Sequence, residues 1–406
     1  MKNNNQISSC LITNTPVVPI LDLGMHPYAD TFVGPDQQHL SEPVLPLRCN
    51  LSKDSGLIQL DCVSNDWDRY NLYSYSYTSS NSSYSRGHWD EMAEALKHRI
   101  DLRDKLVVEI GCNDGYLLKQ FKASSRVLGV DASSDMCGVL QNQNLPFYRD
   151  IFSTSTSAQI KWINGSAGLV IANNVLNHAN NPVDFVEGVR DLLAPEGWFV
   201  FEVPSWSWMM AQNRWDMIYH EHVSYFTMTS LIKLLERADL RIHHVDLVDY
   251  HGESFRVWAR HADRVVVVPE SVQDIAQQEQ TQGLFCEDFY AGIAENMKQQ
   301  RHKNLSQLLQ YKIQEPQRPI IGIGAAAKAN TWLNYHGINH LLMDYVTDSS
   351  PQKQNKYTPL SRIPIVDDEI FAQYESPRAL VLSWNISNKL RDAILSINAR
   401  TEFINL

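Results

Sequence analysis

Apolar residues recur along this chain in two rhythms. Between positions 106 and 203, apolar runs of strand length alternate with segments spaced for helices. LVVEIG (106–111), VLGVD (127–131), GLVIANN (168–174) and WFVFEV (198–203) read as buried strands, with helices over 116–122 and 183–193. That alternation predicts a parallel sheet covered by helices on both faces, an α/β domain of Rossmann-like type. A second and shorter series follows Pro319. IIGIG (320–324), MDYVTD (343–348), IPIVD (363–367) and ALVLSW (379–384) read as strands, with a small-residue turn and helix over 325–335. They predict a second Rossmann-like unit from about residue 316.

The remaining segments fill in around these two. Residues 86–100 read as a helix leading into the first α/β series. Residues 229–238 read as another, with Thr229 as N-cap and Leu231, Leu234 and Leu235 on one face. The Gln- and Glu-rich stretch 268–315 has helical spacing and predicts a connecting helix or helix pair. Residues 1–65 alternate short apolar runs with turn residues, as a small β-rich module does. The run YNLYSYSYTSSNSSYS (70–85) carries too many aromatics for a solvated linker and predicts an ordered loop lining a pocket. The expected domains are therefore 1–65, 66–240 with a substrate loop at 70–89, and 241–406.

Composition narrows the classes. A chain of 406 residues suits two or three domains. Its 44% hydrophobic and 20% charged residues are those of a soluble globular protein. The net charge of -11, without a long basic stretch, argues against nucleic acid or an anionic membrane as partner. The longest apolar runs, such as 167–172, are strand-sized, and MKNNNQISSC lacks the apolar core of a secretory signal. Six cysteines at 10, 49, 62, 112, 137 and 286 form no CxxC pair. A disulfide framework is unsupported, and the expected home is a reducing cytoplasm.

VVEIGCNDGYLL carries the first candidate chemistry. A buried strand ends at Glu109-Ile110-Gly111, and Gly115 opens the next helix. Glycine lets the backbone turn sharply and approach a ligand. The following strand ends in Asp131, placed to accept hydrogen bonds from a ribose diol. A dinucleotide fold would show G-x-G-x-x-G; here the spacing is G-x-x-x-G, with Asn113-Asp114 between. Asn and Asp tolerate unusual backbone angles, so the turn stays possible. The acid Glu109 repels a pyrophosphate and suits a cofactor bearing an amine and a sulfonium, which favours S-adenosylmethionine over NAD. Asn174, closing the third strand, joins Glu109, Gly111, Asn113, Gly115 and Asp131 as a candidate cofactor contact. The competing reading is a structural turn without ligand.

The densest group of acid–base side chains is Tyr219-His220-Glu221-His222, in a segment that follows a predicted strand. His178 follows another, so it lies at the same strand-end edge, where ligands bind in such sheets. Histidine is the usual proton carrier near neutral pH. H-x-H resembles a metal pair, but the zincin pattern HExxH is absent. A structural role at a domain interface is the other competing reading.

At this point the chain resembles the sugar C-methyltransferases that act on nucleotide-linked 4-keto-6-deoxyhexoses. EIGCNDGYLL is similar to that family's cofactor loop, NVLNHANNPVDFV to its histidine-bearing segment and WDMIYHEHVSYFT to its signature. HGESFRV matches an HGGSLR-type segment with Glu253 in place of glycine. GIGAAAKANTWLNY, residues 348–359 and SWNI match its C-terminal domain, and YSYTSSNSSYSRGHW its substrate-side loop. The resemblance implies a methyl transfer, at C3, to a nucleotide-linked sugar, dTDP being the expected carrier. It implies His222 as base, with Tyr219, Glu221 and His178 beside it, and substrate contacts at Tyr77, Ser80, Lys328 and Asn330. The turn GIGAAAK itself puts small residues at a helix start beside Lys328, a natural phosphate site.

The family also carries two CxxC pairs holding a structural zinc. The matching positions here are Cys10 and Thr13, and Ser52 and Ser55, so one thiolate of four survives. A tetrahedral zinc needs about four good ligands, and the expectation is no bound metal. Two alternatives stand beside the leading reading: the same scaffold methylating another acceptor at carbon or oxygen, and a non-catalytic relative that binds cofactor or sugar. Oligomeric state is not legible.

Overall fold

The chain opens with three strands, β1 Val18–Pro27, β2 Val44–Leu51 and β3 Ile58–Leu60. The structure, a computed structural model, describes residues 6–71, 78–80, 82–250, 252–265 and 267–406. It divides into two compact units. The first comprises Met1–Pro19, Cys49–Gln212 and His222–Cys286; the second comprises Ile20–Arg48, Asn213–Glu221 and Glu287–Leu406.

In the first unit, β4 Leu106–Ile110, β5 Arg126–Val130, β6 Phe147–Tyr148, β7 Ala167–Asn173 and β8 Leu193–Pro204 run parallel. A short strand, β9 Ser224–Tyr225, pairs with β3, which pairs with residues Cys49–Leu51 of β2. The hairpin β10 Leu240–Asp249 and β11 Glu253–His261 completes the large sheet, whose order is β10-β11-β8-β7-β4-β5-β6. Every residue of β4 is buried, as expected of a strand covered on both faces. Phe199, Phe201 and Val203 pack one face with helices Pro182–Leu192 and Met228–Arg237. Val107, Leu169, Ile171 and Val200 pack the other against Trp89, Met92 and Leu96 of helix Ser83–Arg99. Strand order reverses between β4 and β7, and the crevice beyond their carboxyl ends is where such sheets bind ligands.

The second unit holds helix Glu287–Gln314 and a parallel sheet of β12 Ile320–Ile323, β13 Tyr345–Thr347, β14 Ile365–Val366, β15 Arg378–Val381 and β16 Glu402–Phe403. Its order is β14-β13-β12-β15-β16, with the reversal between β12 and β15. The fold class read from the sequence is therefore the one observed: a Rossmann-like α/β domain, a second Rossmann-like unit, and short strands at the N-terminus.

Two expectations need correction. The boundary placed at 240/241 falls at the start of β10, because β10 and β11 finish the central sheet. The stretch LRIHHVDLVD buries only some of its residues, so its pattern lacks the continuous apolar run of β4. The helix over 229–238 begins one residue earlier, at Met228, with Thr227 as N-cap: its hydroxyl accepts from Ser230 N while the Ser230 hydroxyl accepts from Thr227 N. Thr229 instead donates to Glu279. The segment 268–315 is indeed two helices, Glu270–Thr281 and Glu287–Gln314. No helix among the described residues is long and apolar enough to cross a membrane.

The four positions at which the resemblance implied zinc lie close together. Cys10 Sγ is 3.1 Å from Ser55 Oγ, and Ile12 N donates to the same sulfur. Burial pushes the Cys10 thiol up, yet hydrogen bonds to the side chains of Ser52, Ser55 and Thr13 pull it below its ordinary value. Neutral hydroxyls are poor partners for zinc, which selects thiolate and imidazole, so these residues do not fit the metal. Among the described residues, no three His, Cys, Asp or Glu side chains are grouped to hold one. The triple variant Thr13→Cys/Ser52→Cys/Ser55→Cys is expected to bind about one zinc per chain and to melt higher with zinc than with chelator. The same elemental analysis on the unaltered chain should find none; about one zinc there would contradict this account.

Candidate functional site

The cofactor turn is built by the ends of three adjacent strands, β5, β4 and β7. After β4, Gly111 N donates to Val130 O at 2.7 Å and Asn113 N to Asp131 Oδ2 at 2.9 Å. Asp131 Oδ1 accepts from Ser133 N at 2.9 Å. Gly111, Asn113 and Gly115 all have positive φ, 65°, 51° and 72°. At Gly111 a Cβ would meet Val175 Cγ2 at 2.2 Å, so both angle and space call for glycine. Asn174, at φ 54°, follows β7 and is held by its N–H to Glu202 O at 2.8 Å.

The turn is strongly acidic. Glu109 is buried, and its Oε2 has no hydrogen-bond partner among the described residues; nor has Asn174 Oδ1. Burial, with Asp114 and Asp131 nearby, pushes the Glu109 carboxyl well above the usual carboxylate range. Burial likewise raises Asp131. A cation arriving here would restore Glu109 to its charged form and give the orphan oxygen a partner. The residues thus fit a cofactor that brings a positive charge and a ribose, as S-adenosylmethionine does.

In the same unit, His178 ends the short 3-10 turn Leu176–His178 after β7. Its Nδ1 and the Tyr70 hydroxyl form a 3.0 Å hydrogen bond, and Arg69 donates to its carbonyl at 2.8 Å. Burial, helped by the Arg69 charge, lowers the imidazole pKa to about 3, so His178 is neutral at ordinary pH. Its ring centroid is 5.0 Å from that of His222, and the His222 ring is 6.0 Å from Tyr225. The two histidines expected to converge therefore do so.

Tyr219, His220 and Glu221 belong to the second unit. Glu221 Oε1 accepts from Ala29 N at 3.0 Å and Asp30 N at 3.2 Å. Burial pushes the Tyr219 hydroxyl well up, with Asp30, Glu221 and Asp216 adding to it; it stays protonated and able to donate. His220 is wholly buried, edge-on to Tyr28 at 6.1 Å. Helix Ala327–His336 holds this segment: Thr331 donates to Ile218 O at 3.0 Å and Asn330 Nδ2 to Ala29 O at 2.6 Å. Asn330, expected at the substrate, thus also holds the backbone beside Glu221.

The turn after β12 repeats the cofactor turn with different charge. Gly324 N donates to Thr347 O at 2.8 Å, Ala325 N to Asp348 Oδ2 at 3.0 Å and Ser350 N to Asp348 Oδ1 at 2.9 Å. Gly322 stands where the first turn has Glu109. Lys328 donates to Asn385 Oδ1 and lies 4.4 Å from the Trp384 ring centre, with the Arg214 guanidinium 4.2 Å from the same ring. Burial, with Arg214 nearby and Asp216 opposing, lowers the Lys328 pKa to about 8. Asp216 accepts from Trp384 Nε1 at 2.8 Å.

Among the expected substrate contacts, Tyr77 lies outside the described residues. The Ser80 hydroxyl donates to Asp114 Oδ2 at 2.6 Å. Sequence reading missed Tyr70, which sat in the run taken as a loop, and Arg214, which lay just before the signature. Nothing in their local pattern distinguished them.

Three family models match the chain in succession. A "Putative zinc binding domain" matches residues 10–68, a methyltransferase domain residues 86–245 and a C-methyltransferase C-terminal domain residues 249–404. The chain is 29% identical over 381 residues to the C-methyltransferase NovU of Streptomyces niveus, covering 92% of this chain and 88% of that one. Solved structures with a similar part include magnesium protoporphyrin IX methyltransferase from Synechocystis with bound SAM, at 19% identity over 43% of this chain and 78% of that one, TM-score 0.33. Another is the PH0226 protein from Pyrococcus horikoshii, at 14% identity over 46% of this chain and 95% of that one, TM-score 0.37. With the three models in order from residue 10 to residue 404, and a cofactor turn whose acids suit a sulfonium, the chain is an S-adenosylmethionine-dependent methyltransferase, similar over most of its length to C-methyltransferases.

Proposed function

We propose that this enzyme methylates carbon beside a ketone, at C3 of a nucleotide-linked 4-keto-6-deoxysugar, with His222 as the base. The observation that carries the reading is the His178–His222 pair, rings 5.0 Å apart, on the unit that bears the cofactor turn. A ketone acidifies the neighbouring carbon. His222 takes the C3 proton, and the electron pair moves onto the C4 oxygen as an enolate. Neutral His178, with its partner Tyr70, offers a hydrogen bond to that oxygen. S-adenosylmethionine supplies an electrophilic methyl on sulfur. Held by the turn 111–115 with Glu109 and Asp131, it would give that methyl to the enolate carbon, the electron pair of the broken carbon–sulfur bond leaving with the thioether.

The second unit carries a candidate anion site of its own. Its turn lacks the acid that marks the first, and Lys328 and Arg214 flank Trp384 at its edge. Two cations and a small-residue helix start suit an anionic ligand. The name of the Streptomyces relative supports carbon as the methyl acceptor.

His222→Ala is expected to keep S-adenosylmethionine affinity and to lose methylation by about 10²- to 10⁴-fold, the usual worth of a general base. Calorimetric titration of the cofactor beside turnover assays checks this, and full activity in the variant would overturn the base assignment. His178 should not titrate in the working range. Its pKa is lowered in the folded chain, so as pH falls below 6.5 the unfolded chain binds a proton that the folded chain refuses until about 3. The residue therefore subtracts stability over that window. Imidazole NMR should show it neutral down to about pH 4; a midpoint near the ordinary value would contradict the described burial.

A further inference from the structure

Ser79 and Ser80 form a dipeptide with every polar group engaged. Their carbonyls accept from Trp89 Nε1 at 3.1 Å and from Arg86 at 2.7 Å, both on helix Ser83–Arg99. Everything else goes to the cofactor turn. Ser79 N donates to Asn113 Oδ1 at 2.8 Å and Ser80 N to Asp114 Oδ2 at 3.0 Å, while the Ser79 and Ser80 hydroxyls donate to Asp114 Oδ1 and Oδ2, both at 2.6 Å. Asp114 Oδ1 also accepts from Tyr116 N at 3.2 Å, at the start of the next helix. Asp114 is buried, so a carboxylate there needs these donors.

We propose that Asp114 is a positioning residue for the cofactor: by receiving Ser79 and Ser80 it braces the turn 111–115 against helix Ser83–Arg99 and so sets S-adenosylmethionine affinity. The turn needs such a brace. Asn113 sits at φ 51°, a region a non-glycine residue holds only when its surroundings fix it. Below, Asp131 ties Asn113 N. Above, the Asn113 side chain takes Ser79 N, and Asp114 takes both hydroxyls. With ties on both sides, the turn is held in shape before the cofactor arrives, which spares the ligand the entropy of ordering it. Most of the hydrogen bonds to Asp114 come from this dipeptide, and all involve a charged acceptor, the stronger kind. The role is independent of which acceptor the enzyme methylates.

Cofactor affinity is the readout, measured by calorimetry with S-adenosylmethionine and with S-adenosylhomocysteine. Asp114→Ala should weaken binding about tenfold or more, the equivalent of about 1.4 kcal/mol. Ser79→Ala/Ser80→Ala, which leaves Asp114 in place, should weaken it by a similar factor. Combining all three substitutions should cost little beyond Asp114→Ala alone, since they break one set of bonds. Asp114→Asn, which keeps one acceptor oxygen, should fall between wild type and alanine. Unchanged affinity in the folded serine double variant would overturn the proposal, whether or not its melting temperature falls. So would additive losses. If Asp114 acted only as a negative charge beside a cationic cofactor, Asp114→Asn would match Asp114→Ala and the serine variant would be neutral, which also overturns it. Should Asp114→Ala fail to fold, the serine and asparagine variants decide alone.

Discussion

The hydrogen bond from Asn113 N to Asp131, 2.9 Å long, ties the turn after β4 to the end of β5. Much of the cofactor-bearing unit hangs from it. It fixes Asn113 in a left-handed conformation, which directs Gly111 and Gly115 and lets the backbone pass close to a ligand. It also keeps Asp131 beside Glu109 and Asp114, so that three carboxyl groups share one partly dry corner. Like charges held together in low dielectric disfavour ionisation, and burial together with this crowding raises the Glu109 carboxyl, while burial alone raises Asp131. A cationic cofactor relieves this tension. The same unfavourable arrangement would repel the diphosphate of a dinucleotide.

The second unit repeats the backbone device of the first. Asp348 grips its turn through Ala325 N and Ser350 N, as Asp131 grips Asn113 N and Ser133 N. The side chains around the two grips differ. Glu109 has its counterpart in Gly322, and Lys353 donates to Ala325 O near Asp348. A shared geometry thus carries different side chains in the two units. The signature segment runs from one unit into the other, with Glu221 assigned to the second and His222 to the first.

The legible parts of this protein were those with a local cause. Strands buried on both faces, such as β4 and β7, wrote themselves as unbroken apolar runs, and the sheet class followed. Gly111, Gly115 and Asp131 were readable because sharp turns and strand-end acids need particular residues at particular spacings. The pairing of His178 with His222 was readable because both follow strands of one sheet. Illegible parts had distant causes. The polar stretch of β10 makes sense only beside β11. Residues 20–48 group with 287–406, a contact across more than two hundred positions that no local pattern announces. The hold of Asn330 on the backbone was not legible, because its partner Ala29 lies far away in sequence. Ser80 looked like a substrate contact, and its hydroxyl donates to Asp114.

Carbon methylation through an enolate, as proposed, is tested by following the C3 proton. The enzyme is incubated in deuterated water with dTDP-linked 4-keto-6-deoxyglucose, once with S-adenosylmethionine and once with S-adenosylhomocysteine, and the sugar is analysed by mass spectrometry and NMR. The account predicts one added methyl at C3 in the first case and deuterium entering C3 in the second. A methyl on oxygen, or neither methyl nor deuterium while the cofactor is shown to bind, would contradict it.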